Sequence, residues 1–88
     1  MNHPVFSKNS QKFIGKLPSK QLVQIISALS NLIQNPHPNN SRHLKGHPNY
    51  KRVPSGEFRI IYSFENKILN IAEIGKRNDD EVYKNFSR

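Results

Sequence analysis

The chain has 88 residues and a formal net charge of +8, because 14 lysines and arginines face only 6 acidic residues. This length allows a single domain, residues 1–88, and the charge is expected of a protein that meets a polyanion such as nucleic acid, an anionic membrane or an acidic protein. The absence of cysteine excludes a disulfide framework and a thiolate metal site, and no apolar run approaches the roughly 20 residues of a membrane span.

The N-terminal residues 1–6 lack the basic start and the apolar stretch of a signal peptide, so the expected compartment is the cytoplasm. Residues 1–5 can hold only a very short strand. Because Pro4 cannot donate a hydrogen bond to a β-ladder, this strand is expected at a sheet edge, or incomplete.

Two amphipathic helices are predicted next. The first follows a cap at Ser7 or Asn9 and ends at Leu17, since a residue before proline is disfavoured in a helix. The second begins at Pro18 and stops before Pro36. With so short a turn between them, the helices should form an antiparallel hairpin whose apolar stripes belong to the core. The stripes are Phe6, Phe13, Ile14 and Leu17 in the first helix, and Leu22, Ile25, Ile26, Leu29, Leu32 and Ile33 in the second.

Residues 35–49 are predicted to form a loop in which Leu44 is the single apolar anchor. Three histidines lie in it, at His37, His43 and His47. Their spacing is irregular and no acidic residue lies nearby, so exposed loop histidines are expected rather than a metal site. A general acid or base role for His43 or His47 stays open.

Three antiparallel strands are predicted from Tyr50 to Val53, from Phe58 to Phe64 and from Ile68 to Ile74. Alternation in the middle strand puts its aromatic residues on one face, which the helices would cover, and puts Arg59 and Ile61 on the other face. The fold class is therefore α+β. It consists of an N-terminal helical hairpin packed on a small, mainly antiparallel twisted sheet, followed by a short C-terminal helix.

The uncovered face of this sheet should carry cations from three successive strands. They are Arg59, either Lys51 or Arg52 on the strand before it, and Arg77 at the end of the strand after it. Lysine and arginine are usually scattered and solvated. Cations on neighbouring strands therefore favour a phosphate-binding floor.

The last strand is followed by Gly75, which can turn the backbone. Asp79 and Asp80 are typical of the N-cap and first turn of a short final helix. Tyr83 would return towards Arg77 after about one turn of that helix. A phenol and a guanidinium would then meet at the edge of a basic protein, which suggests phosphate chemistry. A solvated helix start with a half-buried tyrosine is the alternative interpretation.

RNA carries its own nucleophile, the 2′-hydroxyl. An enzyme that cleaves RNA needs a base for that proton, cationic donors for the phosphate and an acid for the leaving 5′-oxygen, and a metal is not essential. The carboxylates offer no convincing acid–base pair, and Glu73 could instead pair with Arg59 or Arg77. Tyr83 remains as a base, and its phenol would need neighbouring positive charge to act near neutrality.

Three motifs in order resemble the RelE/ParE superfamily of type II toxins, and the resemblance covers the chain from Phe6 to Phe86. They are Leu44-Lys45-Gly46, then Gly56-Glu57-Phe58-Arg59-Ile60-Ile61-Tyr62, then Gly75-Lys76-Arg77 through Glu81-Val82-Tyr83. The RelE branch is the better match. Its active site has an arginine after the strand aromatic, an arginine after Gly-Lys and a tyrosine in the last helix. Arg59, Arg77 and Tyr83 match these positions.

The resemblance implies a ribosome-dependent mRNA endonuclease that cleaves the A-site codon by 2′-hydroxyl attack, without a metal or another cofactor. Tyr83 would be the general base, while Arg59 and Arg77 would stabilise the phosphorane-like state and help the leaving group. The ribosome and mRNA would be partners, and so would an acidic antitoxin, in an assembly such as a heterotetramer. Residues that would grip RNA are Lys45, Lys51, Arg52 and Lys76.

Two features depart from the RelE pattern. RelE-like toxins alternate two basic residues on the strand before the turn, whereas Lys51 and Arg52 are adjacent, so only one of them can face the floor. The N-terminal strand is short, and its loss would expose a sheet edge that an antitoxin strand could fill. Two other functions stay open: a non-catalytic ParE-like inhibitor of DNA gyrase, and an inactive homologue kept as an antitoxin-binding module.

Overall fold

A computed structural model describes residues 2–76 as an α+β fold, while Arg77, Tyr83 and the predicted final helix lie outside the described residues. The elements in chain order are β1 His3–Phe6, α1 Lys8–Gly15, α2 Ser19–Gln34, β2 Arg42–Leu44, β3 His47–Ser55, β4 Phe58–Glu65 and β5 Ile68–Lys76. The sheet order is β1-β5-β4-β3-β2, with β1 parallel to β5 and the other neighbours antiparallel. The predicted α+β class and mainly antiparallel sheet are confirmed. Within residues 2–76, no helix has the length and apolar character needed to cross a membrane.

The start of α1 is fastened to the sheet by the serine that caps it. The Ser7 hydroxyl accepts a hydrogen bond from the Ser10 amide, as an N-cap does, and donates one to the Ala72 carbonyl of β5 at 2.7 Å. The buried Ser10 hydroxyl reaches the Ile71 carbonyl of β5 at 3.2 Å. The cap is therefore also a tertiary contact, and the helix it begins ends at Gly15, two residues before its predicted end.

The second helix, α2, has the predicted ends and buries Ile25, Leu29 and Leu32. Ile26, which the spacing assigns to the same stripe, is 53% exposed. Each helical residue turns the side chain by about 100°, so Ile26 falls at the margin of the buried face. The stripe prediction is wrong at this position. The antiparallel packing of α1 and α2 on each other stays a prediction.

Part of the predicted loop over residues 35–49 is a hairpin. Its strands are β2 and the beginning of β3, joined by the two-residue turn Lys45–Gly46, in which Gly46 has a φ of 80°. A positive φ of this size favours glycine. Leu44 is the one residue of β2 that is buried, so the strand has no apolar alternation that would reveal it in the sequence.

β5 continues two residues past its predicted end at Ile74. Gly75 is buried inside this strand, paired with Arg59 of β4, and does not turn the chain as predicted. The ladder with β4 continues to Lys76, opposite Phe58. The hydrogen-bonded neighbour strand therefore decides the conformation at Gly75, since glycine permits a turn without imposing one.

The two faces of β4 divide as predicted. On the face covered by the helices, its aromatic and aliphatic residues join the main core, and Phe13 of α1 meets Phe58 edge-on with ring centroids 5.6 Å apart. The opposite face, here called the outer face, carries Arg59 and a smaller apolar cluster. That cluster consists of Leu44, Tyr50, Ile61 and Ala72.

A β-bulge in β5 changes the alternation of that strand. The register with β4 shifts between Ile61 and Tyr62, so Ile61 pairs with Glu73 and Tyr62 pairs with Ile71. Ile71 and Ile74, three residues apart, can both reach the main core for this reason. Glu73 comes to lie on the side of Ile61, at the outer face.

We predict opposite effects of alanine at two glycines. Gly56 has a φ of 59°, and a Cβ there would also meet the Gln24 side chain, so Gly56→Ala should lower the free energy of unfolding by about 1–2 kcal/mol. Gly15 at the end of α1 has nothing within 4 Å of such a Cβ, so Gly15→Ala should raise it by about 0.5 kcal/mol. Urea denaturation of the two variants measures both changes. Equal effects would contradict the backbone explanation.

The buried Tyr62 hydroxyl should make stability depend on alkaline pH. It donates a hydrogen bond to the Pro36 carbonyl at 2.8 Å, and burial raises the pKa of Tyr62 while a hydrogen bond with Ser41 lowers it in part. A raised pKa in the folded state means that the stabilisation is complete below about pH 10 and is lost as the pH rises through the folded-state pKa.

Tyr62→Phe should therefore lower the free energy of unfolding by about 1 kcal/mol at neutral pH, and the difference from the wild type should shrink above about pH 10. Urea titrations of both proteins from neutral to alkaline pH measure this. Tyr50→Phe, on the outer face, is the matched control. A Tyr62→Phe deficit that stays constant with pH would contradict the assignment.

Candidate functional site

Three arginines meet on the outer face. Arg42 of β2 is directly opposite Arg52 of β3, and Arg59 of β4 is opposite Pro54, one diagonal step from Arg52. Residues paired across strands project to the same side of a sheet, so the three side chains lie together. They border a pocket of about 200 Å³, here called the arginine pocket. It is lined by Asn40, Arg42, Arg52, Pro54 and Arg59.

The arginine pocket is cationic and partly shielded from water. Arg52 and Arg59 are half-buried, whereas Arg42 is exposed. The Nη1 of Arg42 donates to the carbonyls of Asn39 and Ser41, both at 2.9 Å, which holds that guanidinium in place. Among the described residues, the lining contains no carboxylate. Guanidinium groups held side by side fit the oxygens of a phosphodiester better than a scattered set of cations does.

Among the acidic residues that the structure describes, Glu73 is nearest in register, since it is opposite Ile61 on the outer face. It is only 7% exposed, and the Asn9 amide of α1 donates to its Oε1 at 2.8 Å. The sequence leaves open a pairing of Glu73 with Arg59 or Arg77. The structure shows a hydrogen bond that ties this carboxylate to α1.

The structure decides between the two adjacent cations on β3. Arg52 joins Arg59 on the outer face, whereas Lys51 is opposite Tyr62 on the face covered by the helices. Lys51 Nζ lies 3.0 Å from His37 Nδ1. Only one of the two therefore belongs to the floor, as alternation predicts.

The other predicted RNA-binding residues lie at the two ends of the sheet. Lys45 is exposed in the turn between β2 and β3, and Lys76 is exposed at the end of β5, opposite Phe58. Lys76 therefore projects to the helix-covered side. Of the predicted catalytic residues, Arg59 is in the arginine pocket, and Arg77 and Tyr83 lie outside the described residues.

Sequence reasoning missed Arg42 and Asn40, which border the arginine pocket. Both belong to the stretch predicted as loop. The available signal was Lys45-Gly46, a pair that suits a tight turn and would place the residues before it opposite β3.

Two of the three loop histidines border the same pocket. His37 and His43 border a second pocket with Lys51, while His47 begins β3. Within residues 2–76 there is no group of three or more histidine, cysteine or acidic side chains placed to hold a metal ion.

The chain matches a protein-family model and several solved structures. Residues 5–81 match the family model of the ParE toxin of the type II toxin–antitoxin system parDE. No curated protein sequence matches the chain. Among solved structures, the isolated Escherichia coli RelE toxin is 20% identical with a TM-score of 0.77, covering 99% of this chain and 96% of that one.

Two further structures share the fold. RelE in the archaeal RelE–RelB complex of Pyrococcus horikoshii is 21% identical, with a TM-score of 0.76 and coverage of 88% of this chain and 96% of that one. Escherichia coli YafQ is 20% identical, with a TM-score of 0.66 and coverage of 88% and 94%. At these identities the likeness establishes a common fold.

We predict that the arginine pocket dominates the binding of single-stranded polyanions. Arg52→Ala should reduce the slope of log affinity against log salt by about 0.7 for a single strand, the value expected for one lost phosphate contact. Lys12→Ala, which removes the same charge from the last turn of α1, should change the slope less. Fluorescence anisotropy of a labelled single-stranded RNA at several salt concentrations measures both. Equal slopes for the two variants would show that net charge, and not the pocket, governs binding.

Proposed function

The chain belongs to the ParE toxin family of type II toxin–antitoxin systems, in the RelE/ParE superfamily that its motifs predict, and we propose that it is a toxin that cleaves mRNA on the ribosome. The observation that carries this proposal is the arginine pocket. Three arginines from adjacent strands border this one pocket on the outer face. Such a surface suits a phosphodiester whose negative charge increases during reaction.

The proposed reaction uses the RNA's own 2′-hydroxyl. Its oxygen attacks the adjacent phosphorus, the bond from phosphorus to the 5′-oxygen breaks, and the products are a 2′,3′-cyclic phosphate and a 5′-hydroxyl. One proton leaves the 2′-oxygen and one joins the 5′-oxygen, so the step needs neither a metal nor a redox partner. Arg59, with Arg52 beside it, would stabilise the added charge on the phosphate oxygens.

Arg77 and Tyr83 complete this proposal by their match to the RelE pattern. Tyr83 would take the proton from the 2′-hydroxyl, and Arg77 would assist at the phosphate and the leaving oxygen. A phenol acts as a base near neutrality only where cations lower its pKa, and the arginine pocket is a source of such charge. Lys45, Lys51, Arg52 and Lys76 would contribute contacts to RNA on the ribosome.

The proposed protein partner is an acidic antitoxin. RelE of Pyrococcus horikoshii was crystallised with RelB, and the +8 charge of this chain would attract a partner of opposite sign. A toxin–antitoxin heterotetramer and a cytoplasmic location belong to this proposal as well.

A second candidate is a non-catalytic inhibitor of DNA gyrase. The matching family model, which describes the ParE toxin of parDE, favours it. The two candidates differ at the arginine pocket, because a blocking inhibitor needs no group that stabilises a reacting phosphate.

The test is cell-free translation with the wild type, Arg59→Ala, Tyr83→Phe and the control Lys12→Ala, with mRNA 5′ ends mapped by primer extension. We expect in-frame cuts that require ribosomes. Arg59→Ala should lower the cleavage rate by about 10²-fold, as when one donor to a transition-state oxyanion is removed. Tyr83→Phe should also abolish the cuts, while Lys12→Ala should leave them.

Two outcomes would overturn the nuclease proposal. Translation arrest with intact mRNA would indicate a blocking inhibitor. Normal translation, together with inhibited supercoiling by purified gyrase, would support the second candidate. Urea denaturation of each variant shows whether a loss of activity reflects a loss of folding.

A further inference from the structure

A second pocket lies where β3 and β4 stop pairing. Their ladder ends at Lys51 opposite Tyr62, although both strands continue beyond that pair. The continuing end of β4 stays paired with β5, through Ser63 with Asn70 and onward. The continuing end of β3 stays beside β2. The space left between the two ends is a pocket of about 390 Å³, here called the strand cleft.

One side of the strand cleft is cationic. Lys51 is the last paired residue of β3, His43 of β2 is directly opposite it, and His37 Nδ1 lies 3.0 Å from Lys51 Nζ. An ammonium group has three donors, and the imidazole of His37 accepts one of them. Two donors therefore remain for an anionic oxygen. Among residues 2–76, the acidic residue in the lining is Glu65, which lies three residues beyond Tyr62 on β4 and is exposed.

The other side of the strand cleft offers rings and amides. Tyr50 and Phe64 border it, and Phe64 is held by an edge-on contact with the His37 ring at 5.6 Å. Asn49 and Asn70 border it too, and an asparagine amide has both donors and an acceptor. Aromatic faces and amide groups are what proteins use to hold unpaired nucleobases.

The cleft is adjacent to the arginine pocket through consecutive residues of β3. Lys51 borders the cleft and Arg52 borders the arginine pocket, with side chains on opposite faces of the sheet. Both sites are near the β2 edge. There, Arg42 is paired with Arg52 on one face of the sheet, and His43 is paired with Lys51 on the other. A single strand crossing this edge could engage both sites.

We propose that the strand cleft is a nucleotide subsite that holds one unpaired ribonucleotide, its phosphate at Lys51 and its base among Tyr50, Asn49 and Asn70. That this nucleotide is part of an RNA strand rests on the proposed function, since a free nucleotide has the same chemistry. The subsite would position a nucleotide that flanks the one whose phosphate enters the arginine pocket.

The experiment is an NMR titration of the ¹⁵N-labelled Arg59→Ala protein, which should not cut RNA. The probes are inorganic phosphate, a nucleoside, a nucleoside monophosphate, a short oligoribonucleotide and an acidic peptide. We expect amide shifts at Asn49, Tyr50 and Ser63 with the monophosphate, and tighter binding of the oligoribonucleotide. Adding Lys51→Ala should weaken monophosphate binding about tenfold, the loss expected for one charged hydrogen bond.

Asn70→Ala and Lys12→Ala provide the comparison in the same background. Asn70→Ala should weaken the binding of the monophosphate and leave the binding of inorganic phosphate unchanged. Lys12→Ala should leave the binding of both unchanged. The retained amide spectrum of each variant shows that it is folded.

Four results would overturn the inference. They are phosphate binding as tight as the monophosphate, nucleoside binding as tight as the monophosphate, shifts confined to the arginine pocket, and shifts produced by an acidic peptide but by no nucleotide. A monophosphate that binds more tightly than the oligoribonucleotide would make a free nucleotide the ligand in place of RNA. Nucleotide binding in the cleft, together with a wild-type protein that cuts no mRNA, would keep the subsite and reject the nuclease. If Lys51→Ala in the otherwise wild-type protein leaves the KM for mRNA cleavage unchanged, the nuclease is kept and the subsite is rejected.

Discussion

The register between β3 and β4 is the constraint on which the rest of the molecule depends. Pairing Pro54 with Arg59 and Lys51 with Tyr62 puts the aromatic side of β4 under the helices and both Arg52 and Arg59 on the outer face. A slip of one residue would bury guanidinium groups in the main core and expose the aromatic residues. Burial of the β4 aromatics thus selects the same register that assembles the arginine pocket.

The sequence was sufficient where a local pattern records a buried face. The alternation of β4 and the stripe of α2 each predicted their element and most of its buried side. Two features escaped because distant residues determine them. β5 keeps Gly75 extended through pairing with β4, and β2 exists because a neighbouring strand supplies its hydrogen bonds. The bulge in β5 likewise follows from fitting that strand to its neighbour.

The candidate site divides in the same way. Arg59 was predictable from its place after the strand aromatic, and alternation predicted that one of Lys51 and Arg52 would join it. Which of the two does so depends on the register, and Arg42 required the unseen β2 pairing. The roles of Arg77 and Tyr83 stay predictions, because both lie outside the described residues.

Collecting Arg42, Arg52 and Arg59 on adjacent strands opposes folding, since like charges across a ladder repel. The apolar core on the opposite face offsets this repulsion. The Glu73 carboxylate of the same face accepts a hydrogen bond from Asn9 of α1. The same concentration of positive charge is the feature that would attract a polyanion. An RNA strand or an acidic protein that covers the pocket removes the repulsion, so either ligand should stabilise the fold as it binds. RNA cleavage and inhibition by an antitoxin would then both depend on the positive charge of the arginine pocket. An antitoxin that occupies this face would compete with RNA directly.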